Sequence, residues 1–459
     1  ALLVLLTRGQ SRKNSRENSK ENKRVLWIST VLFFTSTYPR GRKLLSKNRW
    51  LIPSLLNMMR SGCDDLVQIQ YNCASALCNA VSAVLSKNDI LAMVDEGVIQ
   101  DLGIISVLRT NSIATKQVMS KALFNLLARE ETREDLVKAQ LAQAMVRLTK
   151  EDNKELSILC VQMTLNLSSE IDRYAKYLVE MQIHRVLVGL SRSTAGGAEF
   201  KRLAGNALAN MSVHDDFAKP MAELTQDDER ERDRAAKIIP GLLAISGVNE
   251  EQSTQDCAFV LQNLTRHEHC RRNLAQDDVI ELTVKLAKTG NLTTAQMCAA
   301  TLCYMSTVKG AYADIVQFAI PTLVLTMKNP SLQLVPRMDA ARAVANLVVF
   351  YPPSREVCLA GGITTAVNVL LKSTREESDM VCLAKILRDL SRANEAPFKM
   401  LQEHAILSLV KLAHLEDAQL KHDVSTTICN LATCKFATDI VQERPLTEPY
   451  LAAHLAVCS

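Results

Sequence analysis

The sequence predicts an all-α fold, a solenoid of about ten three-helix repeats. Three observations predict it: a composition poor in helix breakers and aromatics, a short phrase that returns at a near-constant interval, and an apolar helix face that keeps its phase from copy to copy. The chain has 459 residues, more than one compact core organises, so it is either several domains or a repeat stack. Apolar residues make up 47%, charged residues 22% and aromatics 4%, with 15 Gly and 12 Pro. That balance suits packed helices better than a β-sandwich and leaves too much apolar material for extensive disorder.

The phrase is a small-residue-rich helix that ends in Asn followed by an apolar residue. It reads ASALCNA at Asn79, KALFNLL at Asn125, QMTLNLS at Asn166, NALANMS at Asn210 and FVLQNLT at Asn263. Later copies are ATLCYMS at Tyr304, RAVANLV at Asn346, KILRDLS at Asp389 and TTICNLA at Asn430. Successive anchors lie 41 to 53 residues apart, seven of the eight steps falling between 41 and 46, which is the period of helical-repeat arrays. Two residues before the anchors stand Leu77, Leu123, Thr164, Leu208, Leu261, Leu302, Val344, Leu387 and Ile428; the position after each anchor is apolar throughout. Positions three apart share a helix face, so this face is core.

Between anchors the chain supplies two further elements. NDILAMVDEG then VIQDLGIISVLRT follow Asn79, SREVCLAG then GITTAVNVLLK follow Asn346, and APFKMLQEH then AILSLVKLA follow Asp389. Each pair reads as a short helix, a bend and an amphipathic helix. Gly97, Gly361 and Gly362 fall at bends, where a positive φ is least strained for glycine. A short helix, Gly, a second helix and a long third helix with a small-residue/Asn/Leu phrase resemble the armadillo-repeat family, that of β-catenin and importin-α. The resemblance covers roughly residues 25–458. It implies a right-handed superhelix whose third helices line a concave groove used to hold other proteins. The Trp that importin-α sets four residues before the Asn is missing from every copy, since the chain's two Trp are Trp27 and Trp50. The sequence therefore argues against a nuclear-import adaptor.

Helix phase then names the groove candidates. The anchors Asn79, Asn125, Asn166, Asn210, Asn263, Asn346 and Asn430 form one row, and the row four residues earlier contributes Lys121, Gln162, Asn206, Arg342 and Lys385, with Arg202 one turn further back. Asn both donates to and accepts from a peptide backbone without reading its sequence, and basic positions favour acidic partners. The same Asn can instead bond a neighbouring repeat, because a helix-interior Asn costs several tenths of a kcal/mol against Ala and its recurrence needs a cause. Both readings stay open at this level. The expected role is an interaction scaffold for extended or helical segments of other proteins. The alternative is a structural component docked in a large cytoskeletal or axonemal assembly through its convex face and a charged insertion near residues 225–237.

Charge and cysteine usage bound the rest. The net charge is +5, and Arg8–Arg24 carries seven Lys/Arg against two Glu, so that run equals the whole surplus. Residues 1–24 are expected to hold the end of a preceding repeat and a basic mobile loop, and 25–459 the solenoid; the opening ALLVLLT reads as a fragment of a longer chain. A balanced body argues against nucleic-acid binding. The 13 Cys show no C-x-x-C pair, and most sit in apolar helical runs as small hydrophobes; with no visible secretory signal they suggest a reducing, cytoplasmic setting, with nuclear or ciliary association open. No run of 18 apolar residues suggests a membrane span. No phosphate loop, G-x-S-x-G or H-E-x-x-H occurs, so neither catalysis nor a cofactor is expected. His267, Glu268, His269 and Cys270 resemble a metal cluster but lack a second Cys/His pair at zinc spacing.

Overall fold

The computed structural model describes residues 15–46, 48, 50–60, 66–82, 112–139, 141–151, 153–192, 197–223, 238–248 and 250–432. Every regular element among them is helical. The chain divides into two compact units, Ala1–Phe217 with Glu231–Val248, and Ala218–Arg230 with Asn249–Ser459. Gly97, the two segments that follow Asn79, and the charged insertion near 225–237 lie outside the described residues.

The first unit holds α1 (Ser15–Thr37), α2 (Pro39–Ser46), α3 (Leu51–Arg60), α4 (Leu66–Ser82), α5 (Ile113–Leu127), α6 (Glu130–Lys138) and α7 (Leu141–Leu148). It continues through α8 (Lys154–Ser168), α9 (Ile171–Glu180), α10 (Ile183–Ser191), α11 (Gly197–Ser212), the start of α12 (Asp215–Glu223) and α13 (Ile238–Ser246). The long helices pack side by side in the order α1, α4, α5, α8, α11, and α10 packs on α13. In the second unit the long helices are α14 (Glu251–Arg266), α17 (Leu292–Met305), α19 (Leu334–Phe350), α22 (Glu377–Leu390) and α25 (Ala418–Ala432). Between them lie α15 (Glu268–Leu274) and α16 (Asp277–Ala287), then α18 (Ile320–Lys328), α20 (Ser354–Ala360), α21 (Ile363–Ser373), α23 (Ala396–Gln402) and α24 (Ala405–Ala413). Each long helix packs on the next, and α18, α21 and α24 form a second row behind them.

The stack follows from the phased apolar face. Leu77, Leu123, Thr164, Leu208, Leu261, Leu302, Val344 and Leu387 are all buried, as are Ala80, Leu126, Leu167, Met211, Leu264, Met305, Leu347, Leu390 and Leu431. Only Ile428, on the last described helix, is half-buried. Thr164 enters this face by donating its hydroxyl to the Cys160 carbonyl at 3.0 Å. The long helices start at caps: Ser112 Oγ accepts from Thr115 N, Asn153 Oδ1 from Leu156 N, Asn291 Oδ1 from Thr294 N and Asp417 Oδ1 from Leu420 N. Each satisfies one of the amides that a helix start leaves without a partner.

Two expectations are corrected. Ser15–Arg24, read as part of a mobile basic loop, form the first turns of α1; Glu17/Lys20 and Glu21/Arg24 have helical i, i+3 spacing and no breaker separates them from the apolar run. At the bends, Gly362 has φ +80° but Gly361 is an ordinary right-handed helix end. The equivalent left-handed residues before α10 and α24 are Gln182 (φ 53°) and His404 (φ 60°). The bend geometry recurs, while glycine marks only one of these three positions.

The helical stretch Lys309–Lys328 is long and apolar enough to cross a bilayer by length and composition. It contains a 3-10 turn and a π turn before α18, and Ala311, Ile315, Ala319, Ile320, Leu323 and Met327 are buried within its unit. Cys73, Cys160 and Cys358 are buried thiols that burial pushes up to about 12, which keeps them protonated and unreactive.

Candidate functional site

The anchor row splits into two kinds of residue. Asn79 Nδ2 donates to Ser36 Oγ at 3.0 Å, Asn210 to Ser168 at 3.3 Å, Asn346 to Ser306 at 2.9 Å and Asn430 to Ser391 at 2.9 Å. Ser36 and Ser168 lie on the preceding long helix and Ser306 and Ser391 cap its end, and Ser168, Ser306 and Ser391 stand two residues past their own anchors Asn166, Tyr304 and Asp389. The serines pass the bond on, donating to Phe33, Leu165, Cys303 and Arg388 carbonyls. These four amides are stitches between layers, a structural use that the sequence left open.

Asn125 and Asn166 differ. The residue at the stitching position of the preceding helix is Val81 for Asn125 and Leu127 for Asn166, neither of which offers a side-chain acceptor. Both amides are half-buried, and neither makes a side-chain hydrogen bond to a described residue. Gln162 and Asn206 lie one helical turn before Asn166 and Asn210 and are half-buried in the same way. Helices α5, α8 and α11 thus present amides on adjacent layers whose hydrogen-bonding capacity is open. Beside them lies an open cleft of about 500 Å³ lined by Gln117, Asn153, Lys154, Glu155, Ile158 and Leu159, where Gln117 Nε2 donates to Asn153 Oδ1 at 3.1 Å. Asn263 is half-buried on α14.

The cations of the row are unequal as well. Arg342 reaches Asp339 at 2.9 Å and Asp379 at 3.0 Å, and Lys121 pairs with Glu155. Reading single rows made them look like bare positive charge; the carboxylates come from other turns and other layers. Arg202 and Lys385 form no ion pair with a described residue, and both are half-buried.

Two networks escaped the sequence reading. Arg133, Arg271 and Arg355 lie eight or nine residues past the anchors of α5, α14 and α19. Their Nε atoms donate to the last carbonyls of those helices, on Leu127 (3.0 Å), Thr265 (2.7 Å) and Val348 (2.9 Å), where helix ends leave acceptors unused and favour positive charge. Each also reaches the next layer: Arg133 pairs with Glu170, Arg271 donates to Thr307 Oγ1 and Arg355 lies 3.6 Å from Asp389. The second network surrounds Asp389, which takes the anchor place in α22 and is 1% exposed. Arg388 (2.6 Å) and Arg392 (2.8 Å) complete a ring of three guanidinium groups around it, and Arg388 also holds the buried Asp423 at 2.6 Å. An Arg eight or nine residues past three of the nine anchors was the visible signal for the first network. The second was visible only in part: Arg388, Asp389 and Arg392 are neighbours in sequence, whereas Arg355 and Asp423 come from α20 and α25.

Among the described residues no group of three His, Cys, Asp or Glu is arranged to hold a metal ion. His267 and His269 meet with ring centroids 5.6 Å apart and planes tilted by 51°, and Cys270 is buried.

No family model and no curated protein matches the sequence. Among solved structures, the crystal structure of an engineered protein from a structural genomics consortium superposes with a TM-score of 0.55. It is 19% identical, and the match covers 94% of this chain and 98% of that one. That likeness shows the fold alone. The chain is an all-α helical-repeat protein.

Proposed function

We propose that the chain is a right-handed armadillo-type array of about ten repeats that holds extended or helical segments of other proteins on the face formed by α5, α8 and α11. The observation that supports this reading is the set of half-buried amides, Asn125, Gln162, Asn166 and Asn206, on consecutive layers, whose side chains have no hydrogen-bond partner among the described residues. None of the four is among the buried side-chain atoms left without a partner, so water can serve them in the free chain, and a bound backbone replaces that water with both a donor and an acceptor. An extended strand advances about 3.3 Å per residue and layers repeat every 8–10 Å or so, so each layer meets about three residues of it. Arg202 gives this face a cation that favours segments carrying carboxylates. A reducing interior suits the chain's many apolar-helix thiols.

The test is capture of partners from the native source with the full chain and with a variant carrying Gln162→Ala, Asn166→Ala and Asn206→Ala. Capture is lost in the variant while its helical circular dichroism and thermal midpoint stay within error of the parent. Retention of the same partners at the same salt concentration sinks the proposal.

A further inference from the structure

The cleft between α5 and α8 adds a side-chain pocket to the amide face, and its lining decides what can enter. The polar rim is held by its own bonds. Gln117 Nε2 donates to Asn153 Oδ1 at 3.1 Å, and the same oxygen accepts from Leu156 N at 3.1 Å as the cap of α8. Glu155, exposed beside Lys154 on the rim, pairs with Lys121 of α5. What remains at the base is hydrocarbon, from the half-buried Ile158 and from Leu159, which is buried. The open space of about 500 Å³ bounded by these residues has room for an aliphatic or aromatic side chain.

Height along the helices places a second group beside it. Gln117, Ile158 and Arg202 each stand eight residues before the anchors Asn125, Asn166 and Asn210. They lie level on α5, α8 and α11, which pack in that order within one unit. Arg202 is half-buried and forms no ion pair with a described residue. One turn further along α8 and α11 stand the amides Gln162 and Asn206, again level with each other. An apolar cleft, two amides and one cation thus run across three consecutive layers.

We infer that this cleft is the specificity pocket of the amide face: it takes an apolar side chain of an extended segment of another protein, and a carboxylate four positions away in that segment pairs with Arg202. The inference rests on the reading of α5, α8 and α11 as a segment-binding face. The spacing follows from geometry. The cleft lies half a layer before α8 and Arg202 a full layer after it, about 12–15 Å apart at the usual separation of packed helices. An extended chain covers that distance in about four residues. Four is even, so both side chains leave the same face of the strand, while Gln162 and Asn206 meet the backbone between them. A helix advances only about 6 Å in four residues and cannot fill both places with that spacing. Charge selects the acidic residue, since a guanidinium holds a carboxylate through two parallel N–H donors.

The probe is a dye-labelled synthetic peptide of about ten residues, Ser and Thr except for one Leu and, four positions later, one Glu. It is titrated into the full chain by fluorescence anisotropy, and a second peptide with Leu and Glu exchanged serves the opposite strand direction. One of the two binds with saturation. In that peptide, Ser in place of Leu weakens binding by about tenfold or more, as loss of one buried aliphatic side chain does. Gln in place of Glu weakens it by about fivefold or more. Moving Glu one position nearer to Leu does the same, because the two side chains then leave opposite faces of the strand. In the protein, Ile158→Ser and Arg202→Gln reproduce the first two losses, with an unchanged melt as the check on folding. Arg202→Glu reverses the preference and binds the peptide with Lys in place of Glu more tightly. The peptide comparisons decide the matter even if Ile158→Ser fails to fold. Saturable binding of neither order, equal binding of the Leu and Ser peptides, indifference to the spacing, or displacement by a helical peptide carrying Leu and Glu on one stripe overturns the inference. Equal binding of every extended peptide, abolished by Gln162→Ala with Asn166→Ala and Asn206→Ala, overturns the pocket and leaves the amide face standing. Binding that needs Ile158 and Arg202 but survives those three replacements supports the pocket and sinks the amide reading.

Discussion

Asp389→Asn restores the residue that seven of the nine anchors carry, and the structure predicts that it harms the protein. By repeat consensus the change is neutral or slightly stabilising, by about 0.5 kcal/mol. By geometry the opposite holds. The Asp389 side chain is 2% exposed and sits 2.6 Å from Arg388, 2.8 Å from Arg392 and 3.6 Å from Arg355. Neutralising it leaves three cations gathered around a buried site. Arg392 is 47% exposed and turns to water at little loss. Arg355 and Arg388 are 17% exposed; Arg388 keeps Asp423, while Arg355 keeps only its carbonyl contact. Breaking a buried pair from one side costs about 3–5 kcal/mol, and the surviving Asn oxygen brings the expectation to the lower end, about 3 kcal/mol. Because repeat arrays lose cooperativity between distant layers, the readout is amide hydrogen exchange over α22 and α25 in the full chain. Protection there falls by a factor of about a hundred for 3 kcal/mol, with little change in α14. Unchanged or increased protection in α22 refutes the compensation argument.

Two further predictions concern single residues. His184 is 2% exposed, edge-on to Phe217 at 5.9 Å, and neither ring nitrogen has a hydrogen-bond partner. Burial, helped by the charge of Arg185, pulls its pKa down to about 4. The unfolded chain therefore binds a proton first: the stabilisation is complete above about pH 6.5 and is lost as pH falls toward 4, amounting to about 3 kcal/mol. His184→Phe flattens that part of the pH dependence of exchange in α10 and α13, and an identical pH profile in the variant contradicts the assignment. Gln182→Gly and His404→Gly relieve left-handed backbone (φ 53° and 60°) and each raise stability by about 0.5–1 kcal/mol in urea melts; a loss at both sites sinks the strain reading.

The fold was legible because it rests on periodicity. Leu302 and Met305, Val344 and Leu347 are buried as a strict three-residue spacing requires, and no long-range information is needed to see it. The bends were half legible: Gly362 announces a positive φ, whereas Gln182 and His404 adopt the same turn without any residue preference that reveals it. The use of the anchor amides was illegible from the anchors alone, since it is decided by a residue on another helix. Asn210 meets Ser168, whereas the position that corresponds to Ser168 for Asn166 is Leu127, so similar phrases have different fates. Arg342 misled for the same reason: its carboxylate Asp379 comes from the next layer, 37 residues away.

The most direct measurement is the stability of six single Asn→Ala variants of the full chain, read layer by layer by hydrogen exchange. Removing Asn79, Asn210, Asn346 or Asn430 breaks a stitch, while removing Asn125 or Asn166 breaks none and gains the better helix propensity of Ala, about 0.5 kcal/mol. The first four are predicted to fall below the last two by about 1 kcal/mol. Six equal values, or a larger loss at Asn125 and Asn166, contradict the division of one recurring residue into internal stitches and open binding groups.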